Sequence, residues 1–197
     1  MQDKYYADKR DLIKWGGIAH LCNETGIKHV LQVAYYREST WSPLDFNNKK
    51  VPIPKEVLSH FRDINDVKRL GEKLGLHIHV ENRNFSRHNR NVYHNSVCKL
   101  ISTQKLRKIV FLDPDTGIAM QNAKAEHVEP KEVSSIWQSL KRGDFLVLYQ
   151  HSFRDTDWKA IRRKQLAEAC NIDRSKVKEW EAPALARDVV FFFCEKQ

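Results

Sequence analysis

No Gly-x-Gly occurs anywhere in the chain, and only the third of its candidate strands runs into a glycine. A dinucleotide or triphosphate cradle needs glycines so that backbone can approach the phosphates, so NAD, FAD and P-loop chemistry are excluded. Four cysteines, Cys22, Cys98, Cys170 and Cys194, lie far apart with no Cys-x-x-Cys. That spacing suggests neither a zinc knuckle nor a disulfide framework and points to a reduced, cytoplasmic protein. Apolar runs approaching the ~20 residues that span a bilayer are missing, so no membrane partner is expected. The opening Met-Gln-Asp-Lys-Tyr-Tyr also lacks the charged-then-apolar layout of a signal peptide.

Acid is missing as well, from one long stretch. Between Asn82 and Leu112 there is no Asp or Glu, while Arg83, Arg87, Arg90, Lys99, Lys105, Arg107 and Lys108 are all there. The whole chain carries +9, from 34 basic and 25 acidic residues, so this stretch holds most of the imbalance. Its first part, Asn82 to Asn91, mixes arginines for phosphates, asparagines for polar contacts and Phe85 for stacking, with Tyr93 close by. Such a mixture suits single-stranded or unstacked nucleic acid, and equally a phosphate-bearing nucleotide.

What is present is a chain of 197 residues, 41% apolar and 30% charged, the size of one ordinary globular domain. Apolar spacing predicts a helix over 7–25, ended by Gly26, and a strand over 29–34. Residues 37–54 read as a polar, proline-bearing loop long enough to suggest a functional role. Helical pattern follows to Leu74 with a break near Asp63, and then a strand over 76–80. Further helices are expected at 92–104, from Glu129-Pro130 to Gly143, and at 156–169, with a helical or irregular basic piece over 173–180. Strands are expected at 107–112, 145–149 and 188–193. Alternation of this kind predicts a single α/β domain over 1–197, Rossmann-like, with a mostly parallel sheet of five or slightly more strands and helices on both faces. The last strand is the candidate for an antiparallel edge.

Ligands of open α/β sheets bind outside the carboxyl ends of the strands. Those ends carry Tyr35-Tyr36-Arg37-Glu38, Glu81-Asn82-Arg83, Asp113-Pro114-Asp115, and Gln150-His151-Ser152 with Arg154 just beyond. The third is the most telling. A buried run, Ile109 to Leu112, stops at two carboxylates around a proline, and Asp-Thr-Gly is turn chemistry. Two acids at a strand tip present oxygen to a cation or a base to a substrate.

Candidate catalytic residues are therefore Asp113, Asp115, His151 and Glu81, with Asp113 and Asp115 also as ligands of Mg²⁺ or Mn²⁺. Candidate substrate-binding residues are Arg37, Tyr36, Arg83, Phe85, Arg87, Arg90, Gln150 and Arg154. His77 and His79 share one strand face and form a weaker candidate metal pair. Pro114-Asp115 with Glu129-x-Lys131 satisfies a short nuclease pattern, although Glu129 belongs to a helix start. The expected function is metal-dependent phosphodiester or phosphoryl chemistry on nucleic acid or a nucleotide.

The opening Tyr6-Ala7-Asp8-Lys-Arg-Asp11-Leu-Ile-Lys14-Trp15, its helix and the strand after it resemble the start of the ribosomal-RNA adenine-N6 methyltransferases. Asp113-Pro114 is similar in placement to the Asp-Pro-Pro-Tyr motif of that class. This resemblance implies a Rossmann-like fold, S-adenosylmethionine as an alternative cofactor, and a methyltransferase-derived protein, active or reduced to a nucleic-acid-binding module, as the alternative function. The chain departs from that pattern at two places, with Ala34-Tyr35-Tyr36-Arg37 for the glycine-rich turn and Asp115-Thr116 for Pro-Tyr. Leu-Asp-Pro-Asp-Thr-Gly with the later Leu-Tyr-Gln-His also resembles a group of bacterial proteins of uncharacterised function.

Overall fold

Helix α1 (Lys9–Thr25) begins because the Asp8 carboxylate accepts the free amides of Arg10 (2.7 Å) and Asp11 (3.3 Å), and it ends at Gly26 in the left-handed region. The computed structural model describes residues 1–119 and 123–197. The elements that follow are β1 (His29–Val33), a hairpin of β2 (Leu44–Phe46) and β3 (Lys49–Val51), α2 (Lys55–Phe61), α3 (Val67–Leu74) and β4 (His77–Glu81). Next come α4 (Arg90–Thr103), β5 (Lys108–Leu112), a short parallel pair β6 (Gly117–Ile118) and β7 (His127–Val128), and α5 (Pro130–Ser139). The rest comprises β8 (Phe145–His151), α6 (Trp158–Cys170), β9 (Lys178–Trp180) and β10 (Val189–Glu195).

Six strands form the main sheet in the order β4-β1-β5-β8-β10-β9. The first four run parallel, whereas β10 is antiparallel to both β8 and β9. The sheet is therefore mixed but mostly parallel, and its six strands fall within the expected size. The last strand is antiparallel but lies inside the sheet, because the basic piece at 178–180 is extended and covers its outer edge. Among the described residues no helix is long and apolar enough to cross a membrane.

Strand alternation sends side chains to two layers. One face carries Leu31, Val33, Val110, Leu112, Leu146 and Leu148 against α4, α5 and α6. On the other, Val30, Ile109, Phe111, Val147 and Tyr149 pack against α1 and α3. Two glycine positions are fixed by close approach. A Cβ on Gly17 would fall 2.1 Å from the Trp180 ring, so this residue lets β9 close down on α1. Gly117 has φ +106 and lies against the Gln150 side chain.

The parallel strands end in register, with Val33 opposite both Glu81 and Leu112, and Leu112 opposite Leu148. The ladder continues one step beyond, through Ala34 N to Glu81 O (3.2 Å) and Asp113 N to Val33 O (3.0 Å). That shared rim positions the candidate site.

Candidate active cleft

A cavity of about 270 Å³ opens at the carboxyl ends of β5 and β8, beside the first turns of α1. Asp113, Asp115 and His151 all line it, together with Asp8, Arg10, Asp11, Lys14, Tyr5 and Tyr149. Three of the four catalytic candidates thus share one cavity.

Its floor is a buried ionic cluster. The Lys14 ammonium donates to Asp11 Oδ1 (2.5 Å) and Asp113 Oδ2 (2.9 Å), and Gln32 Nε2 donates to the same Asp113 oxygen at 2.7 Å. Burial alone would strip the proton from Lys14, but the charges of Asp113 and Asp11 outweigh it and raise its pKa. Burial also raises the pKa of the Asp11 carboxyl; Lys14 opposes this and the neighbouring Asp113 adds to it. Asp115 accepts the Gln2 amide (2.9 Å) and pairs with Arg37. Met1 is packed over the end of β1, with its nitrogen donating to Tyr35 O at 2.8 Å.

At the mouth sits a second cluster. His151 Nε2 lies 3.1 Å from Asp188 Oδ2, and Nδ1 is 3.0 Å from Ser152 O. Arg10 bridges Asp188 to Asp8, on which its Nη1 closes at 3.2 Å. Partial burial works against a charged Asp188, yet its hydrogen bond from Arg10, with the charges of Arg10 and His151, holds the carboxyl below the usual range. Tyr149, buried between the clusters, has its phenol pKa raised, first by desolvation.

The other sequence candidates are elsewhere. Glu81 is buried outside this cavity and held by Arg83 through Nε (2.7 Å) and Nη2 (2.9 Å), a pair of its own. Phe85 is 1% exposed and packs against Tyr35 and Tyr93 with ring centres 5.0 Å away, so it belongs to the core and offers no stacking surface. Arg90 is buried too, on Glu132 (2.7 Å) and the carbonyls of Lys124 and His127, where it braces the chain before α5. Gln150 is fully engaged, accepting from Ile118 N and donating to Thr116 O and His151 O. Tyr36 is half-buried in a separate groove, while Arg87 and Arg154 are exposed. Glu129 caps α5 and pairs with Lys131, so the short nuclease pattern lies on a helix start. His77 and His79 stand at the opposite end of the sheet.

Neither cofactor expectation finds a fitting set of residues. A divalent cation would have to displace Lys14 from Asp113 and Arg37 from Asp115, and no group of three His, Cys, Asp or Glu side chains able to hold a metal forms among the described residues. The end of β1, where S-adenosylmethionine would need an open glycine turn, is filled by the buried side chains of Met1 and Tyr35.

Asp11, Lys14, Arg10 and Asp188 escaped the search along strand ends. Three belong to α1, whose first turn reaches over the rim, and Asp188 immediately precedes β10. For Arg10 and Asp11 the only signal was the charged run Asp8-Lys-Arg-Asp11 at the start of α1, and Lys14 and Asp188 had none of that kind.

No family model matches the chain. No curated protein matches it either. Among solved structures it is similar to a DUF574 family protein from Streptomyces avermitilis, at a TM-score of 0.42 and 12% identity over 96% of this chain and 82% of that one.

Proposed function

We propose that the chain is a nucleic-acid- or nucleotide-directed enzyme doing phosphodiester or phosphoryl chemistry by general acid–base catalysis in this cleft. One observation carries the reading: two hydrogen-bonded titratable clusters meet at one cavity, Asp11–Lys14–Asp113 directly and Arg10–Asp188–His151 through Arg10 and His151. Side chains distant in sequence, with shifted carboxyl groups and a histidine, are how proton-transfer centres are built. His151, oriented by Asp188, exchanges a proton with the substrate. Asp11, which lines the same cavity and whose carboxyl pKa is raised by burial, is the second group assigned to proton transfer. Arg10 and Lys14 offset negative charge developing on the reacting group. No step passes through a metal.

Hydrolysis of labelled RNA, DNA and nucleotides is the test, run with and without chelator. Turnover that survives chelation and falls about 100-fold or more in both His151→Gln and Asp11→Asn is expected. Unchanged turnover in both variants would remove the proposal, and turnover abolished by chelator would return the carboxylates to metal chemistry.

A second reading has its own support. Four acids (Asp8, Asp11, Asp113, Asp115) line the cavity against two permanent cations, Arg10 and Lys14. That excess accepts the amino group of a base more readily than a phosphate. It favours a module that binds a nucleic-acid base over an enzyme acting on phosphate. Calorimetry with S-adenosylmethionine and with nucleosides separates the cases: nucleoside binding without turnover supports the module.

A further inference from the structure

From Tyr36 to Asp63 there is no buried side chain, although the stretch includes a hairpin and a helix. The hairpin holds its shape locally. Asn47 and Asn48 both adopt positive φ (50° and 63°), which is the turn whose twist matches two antiparallel strands. Its register places Leu44 beside Val51 and Phe46 beside Lys49 on one face, while Asp45 and Lys50 pair at 2.6 Å on the other. The first face is apolar with one cation, and the described residues leave most of it open: Phe46 is 63% exposed and Leu44 48%. A two-stranded ribbon with an uncovered apolar face is marginal alone and marks a contact surface.

This arm is rooted at the catalytic rim. Arg37 pairs with Asp115, Ser39 N donates to Asp3 Oδ1 (3.0 Å), and Lys4 N donates to Ser39 Oγ (3.3 Å). Between root and body runs a groove of about 440 Å³ lined by Trp41, by the cations Lys55 and Arg62 and by the acids Asp3, Glu38 and Asp63, with the Arg62 guanidinium 5.4 Å above the Trp41 ring.

We propose that the arm and the groove at its root hold single-stranded nucleic acid and lead it to the cleft; this rests on the function proposed above. Two rings of the arm have a cation beside them, the exposed Phe46 with Lys49 and the half-buried Trp41 with Arg62, which matches a stacked base and its neighbouring phosphate. The chain's net +9 draws a polyanion and sets a second copy of itself at a disadvantage. Continuity of the root with Asp115 fixes where the bound strand leads.

Anisotropy of a fluorescein-labelled single-stranded oligonucleotide with the full chain tests this, beside a duplex of the same length. Tighter binding of the single strand is expected, with Phe46→Ala and Trp41→Ala each weakening it about tenfold and Phe46→Tyr retaining it. Since neither ring is in the core, the unfolding midpoint should not move. Unchanged affinity in both alanine variants, a preference for duplex, or no binding at all overturns the proposal. So does a concentration-dependent dimer in sedimentation that Phe46→Ala abolishes, because a second copy would then cover this face. Binding that persists in His151→Gln while turnover is lost separates the arm from the chemistry, whereas an unaltered chain that binds the strand and never turns it over sinks only the reaction assigned to the cleft.

Discussion

Lys14 is the residue on which the cleft turns. Its ammonium is the shared partner of two buried carboxylates, and removing it leaves both Asp11 and Asp113 without that charge. Lys14→Met should therefore cost roughly 3–5 kcal/mol in urea unfolding, whereas Lys50→Ala, which breaks an exposed pair, should cost less than about 1 kcal/mol. Equal losses would deny the cluster its structural role. His94 gives a pH prediction. Burial first, and then the Arg90 charge, pulls this histidine down to about 4. The folded value lies below the unfolded one of about 6.5, so unfolding takes up a proton between them. Stability is fully present above about pH 6.5 and falls as the pH drops toward 4, by roughly 3 kcal/mol. In His94→Leu that part of the fall should vanish; an unchanged pH profile would show that His94 does not carry it. Sequence could suggest Asp113, Asp115 and His151, because strand tips are readable from apolar runs. It could not show that Lys14 neutralises Asp113, since that contact joins residues 99 apart.

At the scale of elements, the junction between β5 and β8 depends on Gly117. The Gln150 side chain stitches the tip of β8 to the turn after β5, and a Cβ on Gly117 would lie 2.2 Å from its Oε1. With φ at +106 as well, Gly117→Ala is strained in backbone and in packing, and should destabilise by about 2 kcal/mol or more. Because Thr116 lines the cleft, turnover should fall with stability; a variant as stable as the parent would refute this account. The main helices and parallel strands were legible because their apolar periods differ, 3.6 against 2. Three features were not. The hairpin at 44–51 buries nothing, so no alternation announced it. The short β9, Lys-Glu-Trp, is extended because Trp180 stacks on Phe191 with ring centres 5.3 Å apart, a tertiary contact. Phe85 and Arg90 read as ligand contacts because a basic, aromatic stretch looks the same whether it faces water or braces a core.

Across the whole molecule, the acid-free stretch turns out to be divided. Arg90 and Lys108 are buried, on Glu132 and Asp144, and Arg83 is paired with Glu81. Of the remainder, Arg87 precedes α4 near the carboxyl rim of the sheet, while Lys99, Lys105 and Arg107 lie toward or beyond its far end. A 14-residue helix is about 20 Å long, so these charges cannot belong to one small patch. If nucleic acid is held at the rim, the two groups must behave differently. Arg87→Ala should weaken single-strand binding and lower the slope of log affinity against log salt by about one phosphate contact. Lys99→Ala and Lys105→Ala should leave both nearly unchanged, apart from a small long-range loss that added salt screens away. Equal effects from both ends would mean that the strand runs along α4 rather than across the strand tips, and the cleft would then lose its claim on the substrate.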